Sequence, residues 1–563
     1  MKLKKLAALL LSAALLLTAF AGCNGGGESK SESESTPDSS ASGPEGETSE
    51  GGEESTGEPE ELTLPISEDG AELEVWTVYE GTLYKDPNDI KGVQKTEELT
   101  GVHINWIPVS QSVIADQFGI LLTSGDYPDI IFPPVGGYPG GYEKGIEDGV
   151  IYPDIADLID QYMPNYKAYL DSSEDVRREA TTDSGIQMLR VIVGADGEAK
   201  SEGTVMSLAY RKDMLDQLGM EEPTTIDEWY QVLTAAKNEL GVEYPLMLGA
   251  NGGSDRSLAW GVSTGSQYFV QMDGDTVTSG LLQEGFGQYL DTMKQWYSEG
   301  LIDPNFTSFN YYLDTPASVE NNDKLLYSTV LSGFSGQNYY SMKMVTNEEA
   351  YLQPVVAPVL EEGDEAIQCG DRVVAGDMVF ISSSCEDPVL AAKWLDFLYS
   401  EDGELCLWYG IEGETYELDE NGEPQLLESI IDNPDGLSAG DYMQKFALNR
   451  GNCWLGKNNW QAGAKLNELT SGNNTQMEAV ETWSVPEVNI AYPTRGVTLT
   501  EEESDMITVN ATSLNTLIQE YMVNYIIGSD STAPADFQAT LDDYGYQRVI
   551  DAYQAAYDRY MAR

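Results

Sequence analysis

Apolar and polar residues alternate along this chain in patterns that predict strands followed by helices. The pattern is fullest between Gly376 and Leu418. Met378 to Ile381 is a short apolar run of β-forming residues. The Asp-Pro pair at 387–388 predicts a helix start, because aspartate caps a first turn and proline fits its first position. An apolar stripe predicts that this helix packs on a sheet, and Gly403 predicts its end. The stripe consists of Leu390, Trp394, Leu395 and Leu398.

Two more elements complete this segment. A second short helix that carries Trp408 is predicted to end at Gly410. Thr415 to Leu418 then alternates like a strand, and the Asn-Gly pair at 421–422 predicts a tight hairpin turn. The order strand, helix, helix, hairpin is therefore predicted from Gly376 to the turn at 421–422.

The first alternating strand begins near Ala71 with the sequence ELEVWTVYE, where Leu73 and Val75 are expected to face a core. A second strand, VHINWIPV, follows a helix end, and residues 114–122 predict another helix. This alternation predicts an α/β sheet. Ligands bind where strand ends and loops of such sheets converge, so Trp76 and Tyr79, placed just past the first strand, are candidate ligand contacts.

The first 62 residues differ from the rest of the chain. Residues 1–22 combine early lysines with a short apolar run, which predicts an export signal. Small residues precede Cys23, as in the bacterial lipobox, so Cys23 is the expected lipidation site. The alternative is a cleaved signal with an incidental cysteine. Residues 23–62 are rich in Ser, Gly, Glu and Pro and contain almost no apolar residue, which predicts a disordered acidic tether.

Several longer motifs together resemble one known family. ISSSCEDPVLAAKWLDFLYSEDGELCLWYGIEGETYELDENGEP, SGDYPDI, TVMSLAYRKDMLDQLGMEEPTTIDEWYQVLTAAKNEL, LIDPNF and the final AYDRY are similar to patterns of extracellular solute-binding proteins of family 1. These are lipoproteins that feed ABC importers of oligosaccharides. The resemblance runs from about residue 70 to the end, and two capping boxes, Thr225 with Glu228 and Thr500 with Glu503, open helices within it.

The resemblance implies an α/β, two-lobed periplasmic-binding-protein-like fold of type II, with a hinge of two crossings and a helical C-terminal region. It implies a monomer on the outer face of the cytoplasmic membrane of a Gram-positive bacterium. Such a protein captures a carbohydrate and delivers it to ABC transporter permease subunits. The expected lobe boundaries are 63–200 for the first part of lobe 1, 201–370 for the first part of lobe 2, 371–445 for the return to lobe 1, and 446–563 for the rest of lobe 2.

Tryptophans in loop-like surroundings are candidates for stacking on sugar rings, because an aromatic ring covers the apolar face of a pyranose. The candidates are Trp76, Trp260, Trp454 and Trp460. Ordinary packing is the competing interpretation for each of them. Four other tryptophans lie on amphipathic helices and are expected in the core: Trp229, Trp296, Trp394 and Trp408.

Three polar residues are further ligand candidates. Asp126 lies in SGDYPDI, a loop that borders the ligand cleft in the family, although a turn role competes with sugar contact. Arg372 and Arg450 each carry a planar fork of donors suited to hydroxyls or a carboxylate. The competing interpretation for each arginine is that it balances nearby acids, because the chain has 95 Asp plus Glu against 30 Lys plus Arg.

The composition and motifs count against several other functions. A formal net charge of −65 argues against nucleic acid as a partner. His103 is the only histidine and lies in a strand pattern, so a Ser-His-Asp site is not expected. Cysteines 369, 385, 406 and 453 lack zinc-site spacing, and disulfides between them stay open. No cofactor is expected. The acidic turns at 419–423 and 273–275 suit calcium but lack the full EF-hand spacing.

The expected function is therefore carbohydrate capture without catalysis. Two alternatives from other classes remain: a secreted glycoside-active enzyme and a sugar sensor for a membrane kinase. Hydrolysis of a bound glycan would identify the enzyme, and neighbouring permease genes would favour transport over sensing.

Overall fold

The computed structural model describes most of the chain beyond residue 60. The described residues are 61–134, 137–139, 141–182, 185–193, 206–249, 257–264, 267–309, 311–330, 347, 349–368, 374–451, 455–456, 460–471, 475–483, 485, 488–490 and 497–563. Within residues 57–563 the contacts form one compact unit.

The first lobe is built on a five-stranded sheet with the strand order β2-β1-β3-β11-β4. β1 pairs in parallel with both β2 and β3, and β11 runs antiparallel to β3 and β4. These strands are β1 Ala71–Val78, β2 Val102–Val109, β3 Ile130–Ile131, β4 Leu189–Val193 and β11 Val374–Ile381. A sheet of mainly parallel strands needs cover on both faces, and helices supply it here.

Helices cover both faces of this sheet and create two separate cores. Leu73 and Val75 are buried on one face, as predicted, and Trp76 is buried on the other. The helices of this lobe before β4 are α1 Lys91–Thr100, α2 Ile114–Ser124, α3 Tyr142–Glu147, α4 Ala156–Tyr162, α5 Pro164–Leu170 and α6 Glu174–Ala180. The placement of Trp76 differs from the expectation, because β1 extends to Val78 and includes it.

The second lobe has a smaller sheet with the order β8-β5-β9, in which β5 is antiparallel to both neighbours. Its strands and helices before the return to the first lobe are β5 Met206–Arg211, α7 Lys212–Leu218, α8 Ile226–Ala235, β6 Val270–Asp273, β7 Thr276–Ser279, α9 Gly285–Ser298, α10 Tyr311–Asn321, β8 Leu326–Val330, β9 Leu352–Val355 and β10 Ile367–Gln368. One large core unites most of these elements with the C-terminal helices, and Val319 of α10 belongs to a smaller core with Tyr327 and Leu352. Trp229 and Trp296 belong to that core, as predicted.

The last part of the chain contributes to both lobes. Its elements are α11 Pro388–Phe397, α12 Glu401–Glu404, β12 Tyr416–Leu418, β13 Pro424–Leu426, α13 Ala439–Met443, α14 Trp460–Ser471, α15 Thr475–Trp483, β14 Val488–Asn489, α16 Glu501–Ile526, α17 Pro534–Leu541 and α18 Tyr546–Met561. Leu448, Leu455 and Ala462 pack in the first-lobe core, whereas the Trp483 indole donates to the carbonyl of Leu208 in the second lobe, at 3.1 Å. The return to the first lobe therefore extends into α14, beyond the expected limit of 445.

The segment around α11 follows the predicted order with one correction. The Asp387 carboxylate accepts the Leu390 N–H at 2.9 Å, so α11 begins at Pro388 as predicted. Gly403 does not end that helix. It lies inside the next helix, because Ser400 caps a new helical start, and a Cβ atom at position 403 would lie 2.1 Å from the carbonyl oxygen of Phe397. The helical turn after α12 ends at Gly410, and β12 and β13 form the predicted hairpin.

Candidate functional site

The carboxyl ends of β1, β2 and β3 meet at one edge of the first sheet. Their parallel pairing aligns the loops that follow, which begin at Tyr79, Ser110 and Phe132. Backbone hydrogen bonds continue the sheet into these loops, from the Tyr79 N–H to the Val109 carbonyl at 3.0 Å and from the Phe132 N–H to the Trp76 carbonyl at 2.9 Å. In α/β sheets this edge is where ligands bind, so we take it as the candidate site.

Glu80 places a carboxylate at this edge. Its Oε1 accepts hydrogen bonds from the Ser110 hydroxyl at 2.6 Å and from the Gln111 N–H at 3.0 Å. The side chain is partly exposed. These bonds fix the direction of the carboxylate and tie the loop after β1 to the loop after β2, which gives the edge a preformed hydrogen-bond acceptor for hydroxyl groups.

A second contact joins the loop after β1 to the returning part of the chain. The N–H and the hydroxyl of Thr82 both donate to the Gln444 Oε1, each at 3.0 Å. Gln444 directly follows α13, and residues 445 and 446 accept backbone hydrogen bonds from the start of α1. The candidate site therefore combines residues from the two halves of the chain.

Trp76 and Tyr79 are both largely buried at this edge. The Trp76 ring packs 5.6 Å from the Phe118 ring, measured between centroids, within the core beneath α2. The Tyr79 ring folds back over Gly81, where a Cβ atom would lie 2.0 Å from the phenol oxygen. A side chain at position 81 would therefore displace the Tyr79 ring from this position. Tyr79 directly follows β1, as predicted, and Glu80 is the next residue.

Trp260 and Arg450 make their contacts with other parts of the chain. Trp260 is buried in the second-lobe core, 5.5 Å from the Tyr289 ring centroid. The Arg450 guanidinium lies 5.7 Å from the centroid of the Trp408 ring and donates to the Ala462 carbonyl at 2.9 Å. Burial lowers the pKa of Arg450 to about 10. None of the ion pairs among the described residues involves Arg450.

The remaining ligand candidates are placed as follows. Asp126 is exposed, and its backbone N–H donates to the Ser124 hydroxyl at 3.1 Å, so its backbone takes part in a turn. Trp460 begins α14, but its side chain lies outside the described residues. Arg372 and Trp454 lie wholly outside them, as do Cys23 and the expected tether as far as residue 60; Leu62, at its end, packs against the first-lobe core.

The described residues give little support for a catalytic site or a metal site. The Nδ1 of His103 lies 2.9 Å from the Glu97 Oε2. His103 is near the amino end of β2, whereas the candidate site lies at the carboxyl ends of the strands. The Asp419 carboxylate accepts N–H groups of its own turn, from Asn421 at 2.8 Å and Glu423 at 3.0 Å. In the described part of the chain, no cluster of three or more His, Cys, Asp or Glu side chains is arranged to hold a metal ion.

The family follows from a comparison with known proteins. Residues 90–405 match the family model of the bacterial extracellular solute-binding proteins. The chain belongs to this family. Among the described residues, no helix is both long and apolar enough to span a membrane.

One relative of this solute-binding protein matches it over most of its length, and another matches it over about a third. The fructooligosaccharide ABC transporter substrate-binding protein FusA of Streptococcus pneumoniae is 25% identical over 522 residues, which cover 89% of this chain and 93% of FusA. Lipoprotein LipO of Bacillus subtilis is 25% identical over 230 residues, 37% of this chain and 41% of LipO.

Solved structures show the same fold. FusA of S. pneumoniae in complex with kestose superposes with a TM-score of 0.66 at 23% identity, covering 87% of this chain and 99% of that one. The alginate-binding protein AlgQ2 has a TM-score of 0.64 at 20% identity, with 88% and 99% covered. An HMO-binding solute-binding protein from Bifidobacterium longum infantis has a TM-score of 0.65 at 18% identity, with 87% and 99% covered. The expected two-lobed α/β fold is thereby confirmed.

Two of the residues that build the candidate edge were missed by sequence reasoning. Glu80 directly follows Tyr79, so the rule that selected Tyr79 at a strand end would also have selected it. Gln444 gave no such signal, because it lies 362 residues from its partner Thr82 and in no recognisable motif.

Proposed function

We propose that this protein captures an oligosaccharide outside the cell, in the cleft between its two lobes, and delivers it to the permease of an ABC transporter. The observation that carries the proposal is the match to FusA over 93% of that protein, because FusA is a fructooligosaccharide substrate-binding protein. The preformed acceptor at Glu80 supports it, since sugars offer many hydroxyl donors. Lipid attachment at Cys23 is part of the proposal and would hold the protein near that permease.

The proposed binding mode uses the edge formed by the loops after β1, β2 and β3. Glu80 would accept hydrogen bonds from sugar hydroxyls, and the Tyr79 ring would lie beside the sugar, while residues of the second lobe would close over it. Hinge closure of two lobes around a ligand is a common mode of motion in binding proteins. Trp260, Arg372, Arg450, Trp454 and Trp460 remain secondary candidates for ligand contact.

A calorimetric screen of the purified protein tests the function. Neutral fructo-oligosaccharides such as kestose, and then other glycans, are titrated in turn, and the bound glycan is analysed after prolonged incubation. We expect binding without turnover. Products that are shorter than the glycan and increase with protein concentration would instead identify an enzyme. If uptake of the glycan by cells does not depend on this protein, the sensor alternative is favoured.

Substitution of Glu80 tests the site. Glu80→Gln keeps an oxygen for the Ser110 hydroxyl and the Gln111 N–H but removes the charge. A hydrogen bond to a charged group contributes about 1.5–3 kcal/mol, so the affinity is expected to fall about 10- to 150-fold. Glu417→Gln, an exposed acid in the hairpin strand β12, is the matched control and should bind like wild type. Equal affinities of both variants would remove Glu80 from the site.

A further inference from the structure

Two oppositely charged side chains are buried in the first lobe with much of their hydrogen-bonding capacity unused. Glu179 on α6 is 0% exposed, and Arg190 on β4 is 2% exposed. Within the described part of the chain, neither oxygen of the Glu179 carboxylate and neither Nε nor Nη1 of the Arg190 guanidinium has a hydrogen-bond partner. Nη1 lies 3.9 Å from Oε1, which is an ion pair too long for a hydrogen bond. We call Glu179 and Arg190 the buried pair.

Buried polar atoms without partners are exceptional in proteins. Nearly all of them bond to protein, water or ligand, so four such atoms in one ion pair indicate a partner from outside the chain. The buried amide nitrogen of Gln187, three residues before Arg190, also lacks a partner among the described residues. The backbone of Arg190 is satisfied, because its N–H donates to the Tyr166 hydroxyl at 3.0 Å and its carbonyl accepts the Tyr399 hydroxyl at 3.1 Å. The guanidinium therefore extends from a fixed backbone.

The buried pair lies at the same edge of the sheet as the candidate site. Arg190 pairs with Met378 of β11, and Phe380, two residues further along β11, pairs with Ile131, the last residue of β3. Because β11 is antiparallel to both strands, Arg190 is level with the loop that follows β3. β4 lies three strands from β1, about 14 Å at the usual strand spacing. An oligosaccharide is long enough to contact both the buried pair and Glu80, whereas one sugar ring is too short.

The second lobe covers the end of α6 beside the buried pair. The Thr181 carbonyl, directly after α6, accepts a hydrogen bond from Arg563 at 2.7 Å. The guanidinium of Arg178, next to Glu179 in the chain, lies 5.9 Å from the centroid of the Tyr560 ring on α18. A movement of the two lobes apart would therefore uncover this end of α6 and give a ligand access to the pair.

The two opposite charges restrict the chemistry of the ligand. An anion in contact with Arg190 would be repelled by Glu179, 3.9 Å away, and a cation at Glu179 would be repelled by Arg190. Hydroxyl groups satisfy both residues, because they donate and accept hydrogen bonds without a charge. We propose that the buried pair binds hydroxyl groups at one end of an uncharged oligosaccharide whose other end lies near Glu80. This inference rests on the proposed function and narrows its substrate to uncharged glycans.

Conservative substitutions test the pair, because loss of either charge would leave the other buried and unpaired and would destabilise the protein. Arg190→Lys keeps the positive charge but removes the planar fork of donors, and Glu179→Asp keeps the negative charge but draws the carboxylate back by one methylene group. Calorimetry measures the affinity of each variant, with kestose as the first probe and then the other glycans of the screen. Loss of a hydrogen bond to a charged group predicts an affinity about 10- to 150-fold lower in each variant.

Arg211→Lys is the matched control, because Arg211 is a similarly buried arginine whose guanidinium is satisfied inside the second lobe. It donates to the Asp213 carboxylate at 2.7 Å and 2.6 Å and to the Asn322 amide oxygen at 2.6 Å. Urea unfolding without glycan should show a clear loss of stability in Arg211→Lys and a smaller one in Arg190→Lys. The affinity for glycan should show the reverse, with a loss in Arg190→Lys and none in Arg211→Lys.

The charged trisaccharide trimannuronate is the specificity probe, and it should bind the wild type more weakly than an uncharged glycan does. If the wild type binds a glycan of the screen and both Arg190→Lys and Glu179→Asp bind it equally well, the pair has only a structural role and the proposal is overturned. Tighter binding of trimannuronate than of any uncharged glycan would also overturn it. If the wild type binds no glycan at all, the proposed function fails, and this inference fails with it.

Discussion

The buried carboxylate of Asp396 provides a quantitative test of the first-lobe core. Asp396 lies on α11 and is fully buried. Its two oxygens accept hydrogen bonds from the Asn165 amide and from the Tyr166 N–H, each at 2.8 Å. Burial raises the pKa of Asp396 to about 6 from its ordinary value of 3.8, and the two hydrogen bonds oppose this rise without cancelling it.

The raised pKa has a definite sign and size as a contribution to stability. Between about pH 4 and pH 6 the folded protein holds a proton on Asp396 that the unfolded chain releases, so this contribution is fully present below pH 4 and is lost as the pH rises through 6. A shift of roughly two units corresponds to about 3 kcal/mol of unfolding free energy. In Asp396→Asn the group is neutral at every pH, so this contribution to the pH dependence should vanish.

Urea unfolding between pH 4 and pH 7.5 measures the effect. Wild type and Asp396→Asn are compared at each pH, so that the effects of the many other acids cancel in the difference. The variant should gain stability relative to wild type as the pH rises from 4 to 6, by up to about 3 kcal/mol. Asp116→Asn, on the exposed face of α2, is the control and should show no such trend. A constant difference between wild type and Asp396→Asn across this range would refute the raised pKa.

Three further predictions concern cysteines and glycines. Burial raises the pKa of Cys385 to about 12 and that of Cys406 to about 11, so both thiols should resist labelling by a disulfide reagent at pH 8 until urea is added, as peptide mass spectrometry would show. Gly92→Ala should lower the urea midpoint, because its Cβ would lie 2.2 Å from a backbone oxygen, whereas Gly119→Ala meets nothing within 4 Å and should add up to about 1 kcal/mol. Cys23→Ala should release the protein from membranes into the medium, and membrane fractionation like that of wild type would contradict lipid attachment.

The sequence predicted the first residues of helices well, because a capping residue bonds to N–H groups within the first turn of its own helix. The structure confirms the capping boxes at Thr225 and Thr500 and the helix start at Pro388. The prediction that α11 ends at Gly403 was wrong because of contacts between different parts of the fold. Ser400 starts a new helix there, and the close approach of the Phe397 carbonyl selects a glycine inside that helix, so the same residue type serves packing instead of termination.

The candidate site was only partly predictable, because a site depends on which strand ends meet. The strand-end rule selected Tyr79, which lies at the edge taken as the candidate site, but it placed Trp76 past the strand, whereas β1 includes that residue. Alternation of apolar and polar residues fails to mark a strand buried on both faces, and in β1 consecutive residues from Val75 to Thr77 are all buried. Gln444 reaches the site only through the fold of the whole lobe, which no local pattern encodes.

The separation of the cores limits where the free energy of ligand-driven closure can come from. The large core of the second lobe and the cores on the two faces of the first sheet share no residues, so a hinge motion of the proposed kind would leave each core intact. Described contacts between the lobes include a hydrogen bond of 2.7 Å from Arg563 to the Thr181 carbonyl, at the end of α6. A ligand shifts such an equilibrium only by its difference in affinity for the two states, so the proposed closure would have to be driven by contacts that the sugar makes with both lobes. A rigid acceptor such as Glu80 suits this role, since its position is fixed before the sugar arrives and little ordering entropy is lost on binding.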